Sequence, residues 1–235
     1  LGGKVIHISL PSDDFFALTV AADLICADLS NMIAADPMTS NLLSLASRVA
    51  KSDVTVFING PTGTGKEVLA RFIHDKSARH ASPFVAINCA AIPENMLEAV
   101  LFGHEKGAFT GASVANKGIF RAANLGTLLL DEISEMPIGL QSKILRVLQE
   151  RKVTPLGAQT EIDVDVRVLA TTNRDMRAEI QKNNFREDLF YRLNVFPMAT
   201  QSLCDRASDI LPIAVALLRK HAPSLEMIPW LSECA

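Results

Sequence analysis

The sequence predicts an α/β fold in which helices flank a parallel β-sheet. Apolar runs rich in β-branched residues, as expected of strands buried on both faces, alternate with segments whose apolar residues recur at helical spacing. Polar residues also follow two of these runs, at the edge where open parallel sheets bind their ligands. The runs that we expect to be strands of this sheet are 54–59, 84–87, 127–132 and 166–173.

The composition of the 235-residue chain is that of a globular protein, with 49% apolar and 21% charged residues. A net charge of −3 argues against nucleic-acid binding by this chain itself. No apolar run reaches the roughly 18 residues of a membrane span, and the four cysteines are too scattered for a zinc site, which fits reduced thiols in the cytoplasm. The chain begins at Leu1 and ends soon after the apolar run 228–231, so we interpret it as a fragment.

The first 35 residues are the least informative. Residues 5–10 fit a short strand and residues 15–29 fit a helix, and we expect residues 1–32 to be a linker or the tail of an N-terminal regulatory domain. The pair Asp36-Pro37 then predicts the start of a helix that reaches about Lys51, because aspartate caps helices and proline suits their first turn.

The predicted strand 54–59 leads directly into a glycine-rich loop that ends in a lysine and precedes a helical pattern. This order is typical of a P-loop, in which backbone N–H groups, a helix N-terminus and the lysine hold phosphates. Glu67 stands where the usual pattern has serine or threonine. The predicted nucleotide-binding residues are Gly60, Pro61, Thr62, Gly63, Thr64, Gly65, Lys66 and Glu67.

Two carboxylates, Asp131 and Glu132, end the strand 127–132. In P-loop ATPases such a pair lets the aspartate hold Mg²⁺, usually through water, while the second carboxylate polarises the attacking water. An apolar run ending in Asp-Glu is by itself more often structural, but the upstream P-loop favours the catalytic interpretation. The run 166–173 ends in Asn173. This polar residue either lies at the ligand-binding edge of the sheet or simply caps the next turn.

The rest of the pattern predicts further helices and one hairpin. Strand 84–87 ends at Asn88, and the segment 185–193, with Arg186 and Arg192, on its own fits a salt-bridged surface helix. The other expected elements are a helix from Pro93-Glu94, a helix over 137–151, a small hairpin of residues 153–156 and 161–164 around Gly157 and a last helix over 209–221.

The hexapeptide Gly107-Ala108-Phe109-Thr110-Gly111-Ala112 has two glycines within five residues, which favours a loop. Its phenylalanine either packs in the core, as in a buried turn, or lies at a loop tip that meets a partner. In the second case Phe109 and Thr110 should be exposed.

Together these stretches resemble one family, the NtrC-type bacterial enhancer-binding proteins, which are AAA+ ATPases that activate sigma-54 RNA polymerase. The resemblance covers about residues 33–222, and its most specific part is the hexapeptide, which matches the family's GAFTGA loop. It implies an AAA+ α/β subdomain over residues 33–200, with residues 201–235 as the start of a truncated helical lid. The hexapeptide residues would then contact sigma-54.

The resemblance also implies roles at a site for ATP and Mg²⁺. Residues 60–67 look like the family's Walker A motif, in which a glutamate at the last place is usual. Asp131 and Glu132 look like its Walker B pair, and Glu67 would help Asp131 to hold Mg²⁺. Asn88 falls where the family has an asparagine that holds the catalytic glutamate.

Four further residues match the family's sensor and arginine fingers. Thr172 and Asn173 match sensor I. Arg186 and Arg192 match two arginines that reach the nucleotide of the neighbouring subunit. That role needs a ring, so the resemblance implies a hexamer or heptamer of this chain.

Some details refine the resemblance. The runs 84–93, 131–136 and 203–206 favour the flagellar branch, whose regulators resemble flagellar regulatory protein C. Leu125 replaces a glycine, so we expect that turn to be made differently, with Asn124 at positive φ. The sensor II arginine and the helix-turn-helix domain would lie beyond Ala235, so DNA would be bound only through a domain absent from this chain.

The resulting hypothesis is a cytoplasmic ATPase that remodels sigma-54 polymerase closed complexes, in a two-component system that controls flagellar genes. Two alternatives stay open at this point. The protein could be a general AAA+ unfoldase or chelatase subunit whose hexapeptide is merely a packed turn, or a regulator that uses nucleotide only to assemble.

Overall fold

A computed structural model describes residues 32–221 of the chain. The expected strand 5–10, the expected helix 15–29 and the apolar cluster 228–231 lie outside the described residues. Residues 42–202 form one compact unit, and residues 32–41 form a second unit with residues 203–221.

Five parallel strands form the sheet of the larger unit: β1 Val56–Asn59, β2 Phe84–Asn88, β3 Thr127–Asp131, β6 Arg167–Thr172 and β7 Phe196–Ala199. Their spatial order is β2-β3-β6-β1-β7. The four predicted strands are β1, β2, β3 and β6, and all are present, so the predicted α/β fold with a parallel sheet is confirmed. A separate hairpin pairs β4 Lys152–Val153 with β5 Ile162–Asp163 and is shorter than expected.

Helices follow the strands, as the hydrophobic periodicity indicated. They are α1 Pro37–Ala50, α2 Lys66–Asp75, α3 Glu94–Phe102, α4 Ile119–Ala122, α5 Ile138–Glu150, α6 Met176–Gln181, α7 Glu187–Leu193 and α8 Ile210–His221. Short 3₁₀ turns cover Ile133–Glu135 and Leu203–Asp209. None of the helices in the described part of the chain is long and apolar enough to cross a membrane.

The core lies on both faces of the central strands. Leu128, Leu129 and Leu130 are consecutive on β3 and all completely buried, which requires cover on both sides of the sheet. The strand register aligns the carboxyl ends, since Asn88 pairs with Asp131 and Asn59 with Thr172. Polar side chains at these ends are thereby brought to one edge of the sheet.

Strand β7 is the strand of the sheet that the sequence pattern did not predict, and the short helices α4 and α6 were not predicted either. The sequence of β7, Phe196-Pro197-Met198-Ala199, contains a proline, which lacks the N–H that a sheet interior needs. Among the described residues 32–221 the strand pairs with β1 alone and lies at the end of the sheet, where proline is tolerated.

The smaller unit is held by one buried carboxylate. Asp209, with no exposed surface, accepts hydrogen bonds from the N–H groups of Ala35 and Asp36, both at 2.7 Å, and from the Thr39 hydroxyl. Burial alone would raise the pKa of Asp209, but these hydrogen bonds outweigh it and lower the pKa. The predicted cap of α1 is also present, because Asp36 Oδ1 accepts the N–H of Met38 at 2.9 Å.

The turn before β3 differs from the expectation. Leu125 itself takes the positive φ, 64°, and Asn124 does not. Two hydrogen bonds to Asp165 fix this turn: the Leu125 N–H donates to the Asp165 carbonyl at 2.7 Å, and the Asn124 Oδ1 accepts the Asp165 N–H at 2.8 Å. These bonds offset the roughly 1–2 kcal/mol that a left-handed leucine costs.

Candidate nucleotide site and hexapeptide loop

The glycine-rich loop has the geometry that its sequence predicts. Gly63 and Gly65 take φ values of 81° and 88°, which other residues rarely adopt. A Cβ on Gly60 would lie 2.1 Å from Thr200 Oγ1 and 2.6 Å from the Thr200 carbonyl oxygen, so only glycine fits there. Lys66 begins α2, and its ammonium donates to the carbonyls of Gly60 at 3.0 Å and Pro61 at 3.1 Å.

Threonine and asparagine side chains brace this loop. The Thr64 hydroxyl donates to the Pro61 carbonyl at 2.8 Å and lies 2.7 Å from the hydroxyl of Thr200. On the other side, the Asn173 amide donates to the Thr62 hydroxyl at 3.0 Å. The loop is therefore tied to the carboxyl ends of both strands that flank β1.

The two carboxylates after β3 have different surroundings. Asp131 accepts the hydroxyl of Thr171 on Oδ1 and the amide of Asn88 on Oδ2, the latter at 3.1 Å. Glu132 has the left-handed φ/ψ pair 51°/50°, and its Oε1 lies 3.8 Å from the Lys66 ammonium. Its Oε2 is buried and has no hydrogen-bond partner among the described residues. A strained backbone and an unpaired buried oxygen are typical of a functional residue.

Asn88 contacts a different carboxylate from the one that the resemblance implies. Its amide donates to Asp131, whereas the resemblance implies a contact with Glu132. The strand register explains the difference, since Asn88 lies directly opposite Asp131 in the β2–β3 pair.

Thr171 is the residue of this site that sequence reasoning missed. Its completely buried hydroxyl donates to Asp131 Oδ1 and accepts the Glu132 N–H at 3.2 Å, so one side chain holds both members of the carboxylate pair. Thr172, which matches sensor I, instead donates to the buried Ser134 hydroxyl at 2.9 Å. Side chains alternate along a strand, so Thr171 and Thr172 face opposite sides of the sheet. That alternation is the signal that could have identified Thr171.

The surroundings of the two carboxylates also affect a neighbouring thiol. Cys89 directly follows Asn88 and is buried, and its N–H donates to the Asp131 carbonyl at 2.9 Å. Burial first, and then the charges of Asp131 and Glu132, raise the pKa of Cys89 to about 12. The thiol therefore stays neutral at physiological pH.

Glu67 lies apart from the carboxylates. It occupies the first turn of α2, its side chain is 58% exposed, and it pairs with Arg71 one turn along the helix, at 3.8 Å. Among the described residues, no hydrogen bond or ion pair joins Glu67 to Asp131.

Arg186 and Arg192, the arginines expected to act as fingers, lie on the surface of the larger unit and form hydrogen bonds within the chain. Arg186 donates through Nε and Nη2 to the two carboxylate oxygens of Asp188, at 3.0 and 2.7 Å, and these bonds lower the pKa of Asp188. Arg192 donates to the Leu148 carbonyl at 2.9 Å. Within the described chain, neither arginine contacts the glycine-rich loop or the two carboxylates.

The hexapeptide forms an exposed loop. Phe109 is 44% exposed and Thr110 is exposed, as expected for a tip that meets a partner. The loop is closed by main-chain bonds, since the Gly107 N–H donates to the Ala112 carbonyl at 2.8 Å and the Ala112 N–H to the Phe109 carbonyl at 3.0 Å. The Phe109 ring lies edge-on to the ring of His104, at 4.9 Å.

The base of this loop rests on the loop between β4 and β5. His104 and Asn116 exchange main-chain hydrogen bonds at 3.0 and 2.9 Å, and the Glu105 N–H donates to the Leu156 carbonyl at 2.9 Å. A Cβ on Gly157 would lie 2.9 Å from the Cβ of Ala108. No motif or spacing in the sequence indicates this contact between the two loops.

Comparisons with known proteins agree with this geometry. A family model described as the Sigma-54 interaction domain matches residues 32–199. The response regulator protein FleR of Pseudomonas aeruginosa is 61% identical over 195 residues, which are 83% of this chain and 41% of FleR. The transcriptional regulatory protein FlbD of Caulobacter vibrioides is 45% identical over 221 residues, which are 94% of this chain and 48% of FlbD.

A solved structure shows the same fold. NtrX from Brucella abortus, determined in complex with ATP, superposes with a TM-score of 0.72 at 34% identity, over 86% of this chain and 46% of NtrX. The chain spans less than half the length of each of these three proteins. The family model covers most of the chain and includes both the glycine-rich loop and the hexapeptide, so the chain belongs to the sigma-54 interaction domain family.

Proposed function

We propose that this chain is the ATP-hydrolysing part of a sigma-54-dependent transcriptional activator. The observation that carries this proposal is one compact unit with a braced glycine-rich loop, a carboxylate pair and an exposed hexapeptide. Membership of the sigma-54 interaction domain family supports sigma-54 as the partner of that loop.

ATP is the proposed nucleotide, and NtrX, which was solved with ATP, supports this. Lys66 and the N–H groups of residues 62–65 would hold the β- and γ-phosphates. Glu132 would orient or activate the attacking water, and its unpaired buried Oε2 gives it an oxygen that can accept a proton or a hydrogen bond.

Mg²⁺ is the proposed metal, and Asp131 is the residue that would hold it. Carboxylate oxygens suit this cation, and each Asp131 oxygen accepts one hydrogen bond from the protein, which leaves it able to accept another or to bind the ion. When bound, Mg²⁺ neutralises negative charge on the phosphates. Thr171 and Asn88 would fix the carboxylate that holds it, while exposed Glu67 is the weaker candidate.

The proposed assembly of this chain into a ring rests on the two arginines. Arg186 and Arg192 lie on the surface and contact other parts of their own chain, so we propose that they act on the nucleotide of a neighbouring copy in a hexamer or heptamer. An arginine finger supplied in trans contributes about 10³- to 10⁵-fold to the rate. Thr172 and Asn173 would sense whether the γ-phosphate is present, and the hexapeptide loop would shift in response.

The biological setting is the finer part of the proposal. Similarity to the response regulator FleR supports a cytoplasmic regulator in a two-component system, of the flagellar branch. DNA would be bound through a helix-turn-helix domain outside this chain.

Thr110 offers the direct test, because it is exposed on the hexapeptide and is not among the residues that surround the glycine-rich loop. Thr110→Ala should leave ATP hydrolysis within about twofold of the parent protein and abolish capture of sigma-54. Hydrolysis is measured by phosphate release and capture by co-elution with purified sigma-54. Ser113→Ala, at an exposed position just outside the hexapeptide, is the matched control. Equal loss of both activities in Thr110→Ala would contradict the proposed division of labour.

A further inference from the structure

A buried glutamine links the nucleotide site to the segment that carries Arg186. Gln141 lies on α5 and has no exposed surface. Its Nε2 donates to the carbonyls of Met136 at 2.8 Å and Asn184 at 3.0 Å, and its Oε1 accepts the Arg186 N–H at 2.7 Å. A buried amide with three such bonds fixes the main chain on both sides of it.

The two sides belong to different parts of the proposed mechanism. Glu132 and Met136 flank the 3₁₀ turn Ile133–Glu135 on either side. The Glu135 N–H donates to the Glu132 carbonyl at 2.9 Å and closes this turn. Asn184 and Arg186 form the segment from which the finger side chain projects. One side chain therefore connects the turn after the proposed catalytic glutamate to the main chain of the finger.

A second path reaches the same segment. The Asn184 amide donates to Glu179 Oε2 at 3.0 Å, and Glu179 also accepts Arg174 at 3.2 Å. Arg174 forms an ion pair with Glu135 at 2.5 Å and directly follows Asn173, whose amide contacts the glycine-rich loop. The segment 184–186 is thus tied to both the Walker B turn and the end of β6.

The side chain of the finger is held differently from its main chain. The guanidinium pairs with Asp188, and both side chains are more than 40% exposed, so water competes with this bond. The main-chain N–H of Arg186, by contrast, is bound by a side chain that water does not reach. The finger can leave Asp188 while its base stays in place.

We propose that Gln141 is a positioning residue for the Arg186 finger. It fixes the main chain of Arg186 to the turn after Glu132 in the same subunit. The Arg186 side chain that reaches a neighbouring subunit therefore responds to the nucleotide site of the subunit that supplies it. This inference rests on the proposed function, in which the arginines act in trans.

The test uses rings of the whole protein assembled from two variants. Gln141→Met keeps the volume of the side chain but removes all three hydrogen bonds. A finger misplaced by about 1 Å slows the reaction by up to about 10²-fold, so we expect the rate of hydrolysis at saturating ATP to fall by about one to two orders of magnitude. ATP affinity should change less than about threefold. Mixing with Glu132→Ala subunits should restore hydrolysis, because Gln141→Met sites then receive well-placed fingers.

A parallel mixture separates the two levels of the proposal. Arg186→Ala mixed with Glu132→Ala tests action in trans itself, and absence of rescue there would refute the proposed ring mechanism. Rescue of Arg186→Ala without rescue of Gln141→Met would overturn the role of Gln141 alone. Leu101→Ala, at a completely buried position on α3, controls for lost stability and should give no defect that depends on the neighbour.

Asn184→Ala keeps the inference testable if Gln141→Met fails to fold. Asn184 is exposed, so the substitution is tolerated, and it removes the link to Glu179. We expect the rate of hydrolysis to fall less, by about two- to tenfold, and to be rescued likewise by Glu132→Ala subunits. A normal rate, or a fall without rescue, would contradict the positioning of the finger by this network.

Discussion

The two glycine-rich loops of this chain are built in opposite ways. The P-loop, residues 60–66, is held by side chains, since Thr64 meets Thr200 and Thr62 meets Asn173. The hexapeptide is closed by main-chain hydrogen bonds, and among the described residues no side-chain hydrogen bond holds it. The difference teaches that glycine content alone predicts a loop but not its rigidity, which depends on what the non-glycine residues contact.

The largest effect is expected where the P-loop is most crowded. Gly60→Ala would place a Cβ 2.6 Å from the carbonyl oxygen of Thr200, and no rotation of a side chain relieves a contact with main chain. We expect a loss of stability at the upper end of the roughly 1–3 kcal/mol typical of overpacking, together with loss of ATP binding. Thermal unfolding and nucleotide titration measure the two effects.

Gly139→Ala is the matched control for Gly60→Ala. Gly139 lies in α5 with open space around it, so the substitution should raise stability by about 0.5–1 kcal/mol, as is usual for glycine in a helix. If Gly60→Ala is as stable as Gly139→Ala, the close approach of Thr200 does not govern the rigidity of the P-loop.

The next largest effect is expected at Thr171. Thr171→Val removes the hydroxyl that holds Asp131 and the Glu132 N–H, and hydrogen bonds to charged groups are worth about 1.5–3 kcal/mol. We expect hydrolysis to fall by about 10- to 100-fold while ATP still binds, as measured by phosphate release and calorimetry. Thr171→Ser, which keeps the hydroxyl, should stay within about threefold of the parent. A valine variant with full activity would show that the bracing of the nucleotide edge does not depend on this side chain.

The smallest effect is expected at the support of the hexapeptide. Gly157→Ala would bring a Cβ within 2.9 Å of the Ala108 Cβ and strain a residue at φ 78°. Because the hexapeptide is held only loosely, we expect it to shift, with about two- to tenfold weaker capture of sigma-54 and normal hydrolysis. Co-elution with sigma-54 measures the first quantity and phosphate release the second.

A second substitution sharpens this prediction. Ala108→Gly removes the opposing methyl group but also changes the hexapeptide itself, so the double variant is compared with Ala108→Gly alone. In that background Gly157→Ala should weaken capture less than it does in the parent protein. Loss of hydrolysis in Gly157→Ala would instead mean that the two glycine-rich regions are more strongly coupled than their contacts indicate.

The sequence was sufficient for the fold because buried parallel strands are apolar throughout, as in Leu128–Leu130. The sequence also predicted that Lys66 and Glu132 belong to one site, and in the structure the Lys66 ammonium lies 3.8 Å from Glu132 Oε1. The sequence pattern did not predict β7 because this strand contains a proline, a residue that is rare inside sheets. In the structure, pairing with β1 stabilises the strand.

Contacts between segments that are distant along the chain could not be predicted from the sequence. Which carboxylate Asn88 meets depends on the β2–β3 register, and whether Leu125 or Asn124 takes the positive φ depends on hydrogen bonds to Asp165. The importance of Thr171 and Gln141 likewise appears only when residues about 40 positions away are placed beside them.

The proline in β7 has a consequence for solubility. An edge strand offers unpaired N–H and C=O groups to any other chain, and many copies held close together would extend such a sheet from one molecule to the next. Pro197 has no N–H to offer, so it interrupts the row of donors along this edge. In a protein proposed to gather six or seven copies of itself, this proline makes the outer edge of β7 a poorer template for pairing with another chain.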